Sequence, residues 1–398
     1  MRVPSQLTRR EFARAAAMSS LGAGLAIAGI SSGWARKPKN TPEKSRVDGP
    51  LSLKTHAAAA GLLAGCAVVP ELFDLTPASN DPYTHTVAQQ ASILVAENAM
   101  KWSSLRPSPT TYEFSNVDRL FGFAQLNGQQ IRGHNLCWHE QLPAWFASTA
   151  TKENAHSLLT QHIFNVAGRY AGRVHSWDVV NEAIHVPDGR SDGLRKSPWL
   201  GLIGPEYVEI AFATAAQADS KARLTYNDYD IELDTPEQSA KRGQVLMLIR
   251  RLHARGIPIH AVGIQSHLQA NGPRAGAGLQ SFIRDVATLG LEVYITELDI
   301  NTHALPGSPE VQDSAVADVY RQYLGLLLPE PNVRAVLTWG ISDAHTWLNQ
   351  SKQLWTVRPD GARQRPLPFD ENYTPTAAFF AMRDAFDAGR HLVKSSAI

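Results

Sequence analysis

Only two cysteines, Cys66 and Cys137, occur in 398 residues, and neither belongs to a Cys-x-x-Cys pair or a Cys/His ligand spacing. That argues against a disulfide framework and a structural zinc site. Both read as small buried apolar residues, with one disulfide between them as the lesser alternative. Net charge is nearly absent as well: 38 Lys and Arg stand against 37 Asp and Glu, giving +1. So balanced a chain offers no overall attraction to nucleic acid or an anionic membrane, and a neutral substrate is expected. Beyond the first fifty residues there is no low-complexity linker and no tandem repeat.

The N-terminus differs from the rest. Arg2, Arg9, Arg10 and Arg14 precede an uncharged run of small and apolar residues, 15–30, that is short for a bilayer span. Thr8-Arg9-Arg10-Glu11-Phe12 resembles the twin-arginine signal of bacterial export. Residues 1–35 are therefore expected to be a signal peptide, cleaved after Ala35 or at Ala28, and the protein to be periplasmic or extracellular, free of membrane after signal removal. The polar, proline- and lysine-rich stretch 36–55 reads as a flexible linker, leaving 56–398 as one catalytic domain.

Within that domain, short β-branched or apolar runs alternate with longer stretches of helical period. The strands are expected at 62–69, 92–97, 130–138, 174–181, 223–229, 261–267, 291–298 and 334–339. Helical patterns lie between them, for example at 117–126, 152–170, 206–219, 236–255 and 279–289. Eight such repeats in one chain of this length predict an α/β fold of the (β/α)8 TIM-barrel type.

In a TIM barrel the chemistry sits at the C-terminal ends of the strands. Here those ends carry Glu97, Asn98, Lys101, His134, Trp138, Asn181, Glu182, Asn227 to Tyr229, Gln265, His267, Glu297, Asp299 and Trp339. Carboxylates, amides, imidazoles and indoles together suit a ligand that presents both hydroxyls and flat apolar faces, as sugars do. Breaking a glycosidic bond requires one carboxylic acid and one carboxylate. Glu182 and Glu297, on non-adjacent strands, form the expected pair, with Glu297 in a solvated mouth. His134 and His139 with Glu140 lack the spacing of a metal-binding helix, so neither metal nor cofactor is implied. Trp177, Asp178 and Asp228 read as structural supports.

Seven blocks in order, Glu97-Asn-Ala-Met-Lys-Trp102, Arg132-Gly-His-Asn-Leu-Cys-Trp-His139, Trp177-Asp-Val-Val-Asn-Glu182, Asn227-Asp-Tyr229, Gly263-Ile-Gln-Ser-His-Leu268, Ile295-Thr-Glu-Leu-Asp299 and Trp339-Gly-Ile-Ser-Asp343, resemble glycoside hydrolase family ten. The likeness runs from about Gly61 to Arg365-Pro-Leu-Pro-Phe-Asp370. These are endo-1,4-β-xylanases, so the resemblance implies retaining hydrolysis of xylan, with Glu182 as acid/base and Glu297 as nucleophile. It further implies that Glu97, Asn98 and Lys101 bind a sugar two sites up from the cleavage point, and that His134 and Trp138 flank its neighbour. Asn181 is implied to meet the 2-hydroxyl, Gln265 and His267 to sit beside the nucleophile, Asp299 to orient His267, and Trp339 and Trp347 to close a pentose-sized pocket. A monomer acting on xylan or xylo-oligosaccharides is expected. The stretches 185–199 and 347–366 read as variable or loosely matching, and no carbohydrate-binding module is found. Another preferred β-1,4-glycan, or a catalytically inactive sugar-binding protein, remains open at this point.

Overall fold

The computed structural model describes residues 47–76 and 79–395; the expected signal peptide and residues 36–46 of the expected linker lie outside the described residues. The remainder of that linker is folded. Gly49–Leu51 forms a 3-10 turn and Leu53–Ala59 a helix, with Ser52 and Leu53 buried. The polar composition hid this, because only Leu53 and Ala57 of the helix turn inward, where it packs against the C-terminal helix Ala377–Ser395.

The eight expected strands all form. They are β1 Leu63–Val68, β2 Ile93–Ala96, β3 Gln130–Cys137, β4 Ser176–Asn181, β5 Arg223–Asp228, β6 Ala261–Ile264, β8 Glu292–Asn301 and β9 Val333–Thr338, with β7 His267–Gln269 as a short extra segment. Every pairing is parallel, and the β1–β9 and β6–β8 pairs close the sheet into a barrel. Strands buried on both faces need near-continuous apolar sequence, which is why these runs were conspicuous. Helices including Pro82–Gln90, Pro236–Ala254 and Pro309–Leu327 fill the connections; the first two begin with a proline behind an Asp81 or Thr235 side-chain cap. The main apolar core lies between helices and barrel.

Inside the barrel Ala67, Ile93, Val95, Tyr294, Ala335 and Leu337 pack together. Beside the Tyr294 ring, Arg132 is bonded to Ser176 and Asp178, and His134 donates to the second Asp178 oxygen at 2.9 Å. This buried polar layer forms the floor beneath the strand ends. Asp178 is thus the support expected of it, as is Trp177, fully buried with its indole N–H on Asp219. Cys66 and Cys137 are both buried free thiols, and burial pushes the Cys66 thiol up to about 12.

Candidate active site

At the C-terminal ends of the strands lies a cleft of about 450 Å³ lined by Lys101, His134, Trp138, Glu140, Gln141, Asn181, Glu182, Tyr229, Gln265, His267, Glu297, Trp339, Trp347, Gln353 and Trp355. Ten substrate-binding residues were expected from the sequence besides the two glutamates, and the barrel brings eight of them to this cleft with Glu182 and Glu297, all but Glu97 and Asn98. Glu182 follows the last residue of β4, and Glu297 lies within β8.

One relay of side-chain amides joins the two carboxylates. Asn227 at the end of β5 donates to Glu297 Oε1 at 2.8 Å and to Asn181 Oδ1 at 2.9 Å. Asn181 in turn donates to Glu182 Oε1 at 3.2 Å, and Gln265 donates to the same oxygen at 2.9 Å. Asn227 itself is fixed by the Thr296 hydroxyl at 2.8 Å. The relay explains Gly263: a Cβ there would sit 2.1 Å from Asn227 Oδ1.

The two carboxyls meet opposite surroundings. Burial pushes Glu182 above the ordinary carboxylate value and the charge of Asp228 adds to it; donors from Gln265 and Trp138, the latter at 2.8 Å from Oε2, offset this only in part. Burial would also raise Glu297. There, however, the His267 hydrogen bond, the positive charge of His134 and His267, and the Asn227 donor prevail and hold it at about 2. His267 Nε2 lies 3.4 Å from Glu297 Oε2, while Nδ1 donates to Asp299 Oδ1 at 2.8 Å. Burial alone would depress His267, but its two acidic neighbours raise it well above the usual imidazole value. Asp299 also accepts from the Trp347 indole at 2.7 Å, so one carboxylate orients both a cleft imidazole and a cleft indole.

One expectation needs correction, and the other expected residues are placed as follows. Glu297 is not in a solvated mouth: it is only 4% exposed, because Asn227 and His267 cover both of its oxygens. The Gln265 side chain serves Glu182, and it is the Gln265 carbonyl that meets the Glu297 backbone N–H, at 2.9 Å. Of Glu97, Asn98 and Lys101, only Lys101 lines the cleft. Asn98 opens onto a neighbouring cavity of about 190 Å³ with Glu71, Ser104, Glu113 and Asn116, and reaches the cleft through a 3.0 Å bond from Lys101. Glu97 stands behind, accepting from Asn98 at 3.2 Å, its carboxyl raised by burial. Asp299 is a support behind the lining, as expected.

Asn227 and Tyr229 were named at a strand end but given no role in the site, whereas Gln353, Trp355 and Arg195 were not singled out. Trp355, 50% exposed with its ring 5.4 Å from that of Trp347, lies in the segment that matches the family only loosely.

Comparison with known proteins agrees with this geometry. The family model described as glycosyl hydrolase family 10 matches residues 52–385. A Beta-1,4-xylanase of Dictyoglomus thermophilum is 36% identical over 312 residues, 75% of this chain and 83% of that protein. The crystal structure of native xylanase 10B from Thermotoga maritima superposes with a TM-score of 0.75 at 32% identity, covering 85% of this chain and 99% of that one. Xylanase 10B from Thermotoga petrophila RKU-1, solved in complex with xylobiose, gives a TM-score of 0.74 at 32% identity, over 85% of this chain and 98% of that one. On the extent of these matches, the chain belongs to glycosyl hydrolase family 10 and is a (β/α)8-barrel glycoside hydrolase.

Proposed function

We propose that the protein is an endo-1,4-β-xylanase that cleaves internal links of xylan with retention of configuration. The observation that carries this reading is the opposed setting of two relay-linked glutamates, one raised and one held at about 2. In the first step the Glu297 carboxylate forms a bond to the anomeric carbon as the glycosidic bond breaks, and the departing oxygen takes the proton of Glu182. In the second, Glu182, now a carboxylate, removes a proton from water. The water oxygen bonds to the anomeric carbon, displaces Glu297 and restores the β configuration. Asn227, buried beneath the cleft, holds Asn181, which lines the cleft and presents a polar group toward the reacting sugar beside the nucleophile.

Endo action is supported by the cleft, which at about 450 Å³ exceeds one pentose and carries Trp138, Tyr229, Trp339, Trp347 and Trp355 along its walls. Those aromatic faces suit a run of sugar rings. Soluble xylan or xylo-oligosaccharides are the expected substrates, and since one chain supplies the whole lining, a monomer suffices. The arginine pair at Arg9 and Arg10 supports export by the twin-arginine route.

Digestion of soluble arabinoxylan, followed by product length and by the anomeric proton at early times, tests the reading. Short oligosaccharides with β-configured ends are expected. Early α-configured ends would overturn retention; tight xylan binding with no release would mark an inactive sugar-binding protein, and faster release from a glucan would move the substrate to another β-1,4-glycan.

A further inference from the structure

Glu182 adopts a left-handed backbone conformation, with φ of 58°, that a side-chain-bearing residue holds only when its surroundings enforce it. Two bonds do so. Its N–H donates to the Asn227 carbonyl at 2.9 Å, extending the β4–β5 ladder. Its carbonyl accepts from Arg195 Nε at 2.8 Å. Arg195 arrives there because the segment after Glu182 doubles back: Ile184 bridges antiparallel to buried Leu194, His185 N–H donates to the Gly193 carbonyl at 2.9 Å, and Arg195 N–H donates to the Ala183 carbonyl at 2.7 Å. The other end of the guanidinium donates from Nη2 to the Tyr229 hydroxyl at 2.8 Å. Tyr229 lines the cleft, and its ring is held from the other direction by the Lys241 ammonium, 3.7 Å from the ring centre.

We propose that Arg195 is a positioning residue for the acid/base glutamate, fixing the backbone of Glu182 with one end of its guanidinium and the cleft wall at Tyr229 with the other. The loop 185–199 is then part of the machinery rather than a freely variable connection. Arg195 also supplies positive charge close to Glu182. The other charged or titratable groups around Glu182 are Asp228 on β5, His139 after β3 at 3.9 Å, Lys101 after β2, and Glu140 and Glu297 in the same cleft. Among these, Arg195 alone touches the Glu182 backbone through its side chain.

This inference rests on the assignment of Glu182 as the acid, and its test separates the two. The variants Arg195→Met and Arg195→Lys are compared with the full-length enzyme on a xylo-oligosaccharide, which needs the acid, and on an activated aryl β-xylobioside, which does not. Arg195→Met is expected to lower kcat/KM on the oligosaccharide by about tenfold or more, mainly through kcat, and to leave kcat/KM on the aryl substrate, which reads the first step alone, within about threefold. Its alkaline limb should move to higher pH, because removing a cation lets Glu182 keep its proton longer. Arg195→Lys keeps the charge but not the planar two-ended fork, so its alkaline limb should stay in place while kcat on the oligosaccharide remains below wild type. Equal losses on both substrates with an unmoved limb in Arg195→Met would reduce Arg195 to a loop staple and overturn the proposal. So would an Arg195→Lys enzyme as fast as wild type, which decides the matter alone if the methionine variant does not fold. Should Glu182→Ala itself show no leaving-group dependence, the acid assignment fails instead.

Discussion

The two walls of the cleft treat the same kind of side chain in opposite ways. Around Glu182 the donors to the carboxyl are all neutral, amides from Gln265 and Asn181 and an indole from Trp138, and the nearby charges of Asp228 and Arg195 are of opposite sign. Around Glu297 the partners include the His267 imidazole, itself held by Asp299, with His134 close by. Both glutamates are largely removed from water, so desolvation raises both; what separates them is whether cationic partners outweigh it. Environment, not residue type, divides the proposed acid from the proposed nucleophile.

The sharpest way to break this comparison is to delete one member at a time. Glu297→Ala should lower kcat on the order of 10⁵-fold whatever the leaving group, as measured on a xylo-oligosaccharide and an aryl xylobioside side by side. Glu182→Ala should lower turnover of the oligosaccharide by roughly 10²–10⁴-fold and spare the first step on the aryl substrate. If the two variants behaved alike on both substrates, the division of roles would fail.

Milder changes shift the balance rather than abolish it. His267→Gln removes the cation beside Glu297, whose carboxyl then rises from about 2 toward the value burial favours. Since the nucleophile must be ionised, the acidic limb of kcat/KM should move to higher pH, with a fall of roughly tenfold or more at neutrality. On the other wall, Trp138→Phe removes a donor to Glu182, whose carboxyl then rises further. The acid form should persist longer, so the alkaline limb, not the acidic one, should move to higher pH at a cost of only several-fold in rate. Gly263→Ala pushes on Asn227, the residue common to both walls. Thermal unfolding should report a loss of about 1–3 kcal/mol, with both limbs displaced modestly.

The barrel was legible because all eight strands are buried on both faces and so carry apolar runs, and because polar side chains recur at their ends. Both catalytic candidates, and most of the cleft, followed from that rule. What escaped has physical causes. The interruption between β6 and β7 falls at Ser266, which takes a left-handed φ of 69° that no periodicity announces. Gln265 and Glu297 were placed by strand order, but which oxygen an amide faces depends on side-chain packing that one sequence does not display. Leu53–Ala59 hid in polar sequence because a short helix lying against another needs few apolar positions. Arg195 stood in a loop, where a functional side chain has no repeat to betray it, and Glu97 with Asn98 matched a block while only Lys101 of that block lines the cleft.

The account turns on the order in which the two glutamates titrate, and carbon NMR of the side-chain carboxyls, assigned with Glu182→Gln and Glu297→Gln and followed against pH, reads that order directly. Glu297 should remain ionised down to about pH 2, and Glu182 should take up its proton well above it, higher than an ordinary glutamate. The reverse order, or two carboxyls titrating together near the ordinary value, would contradict the assignment of nucleophile and acid.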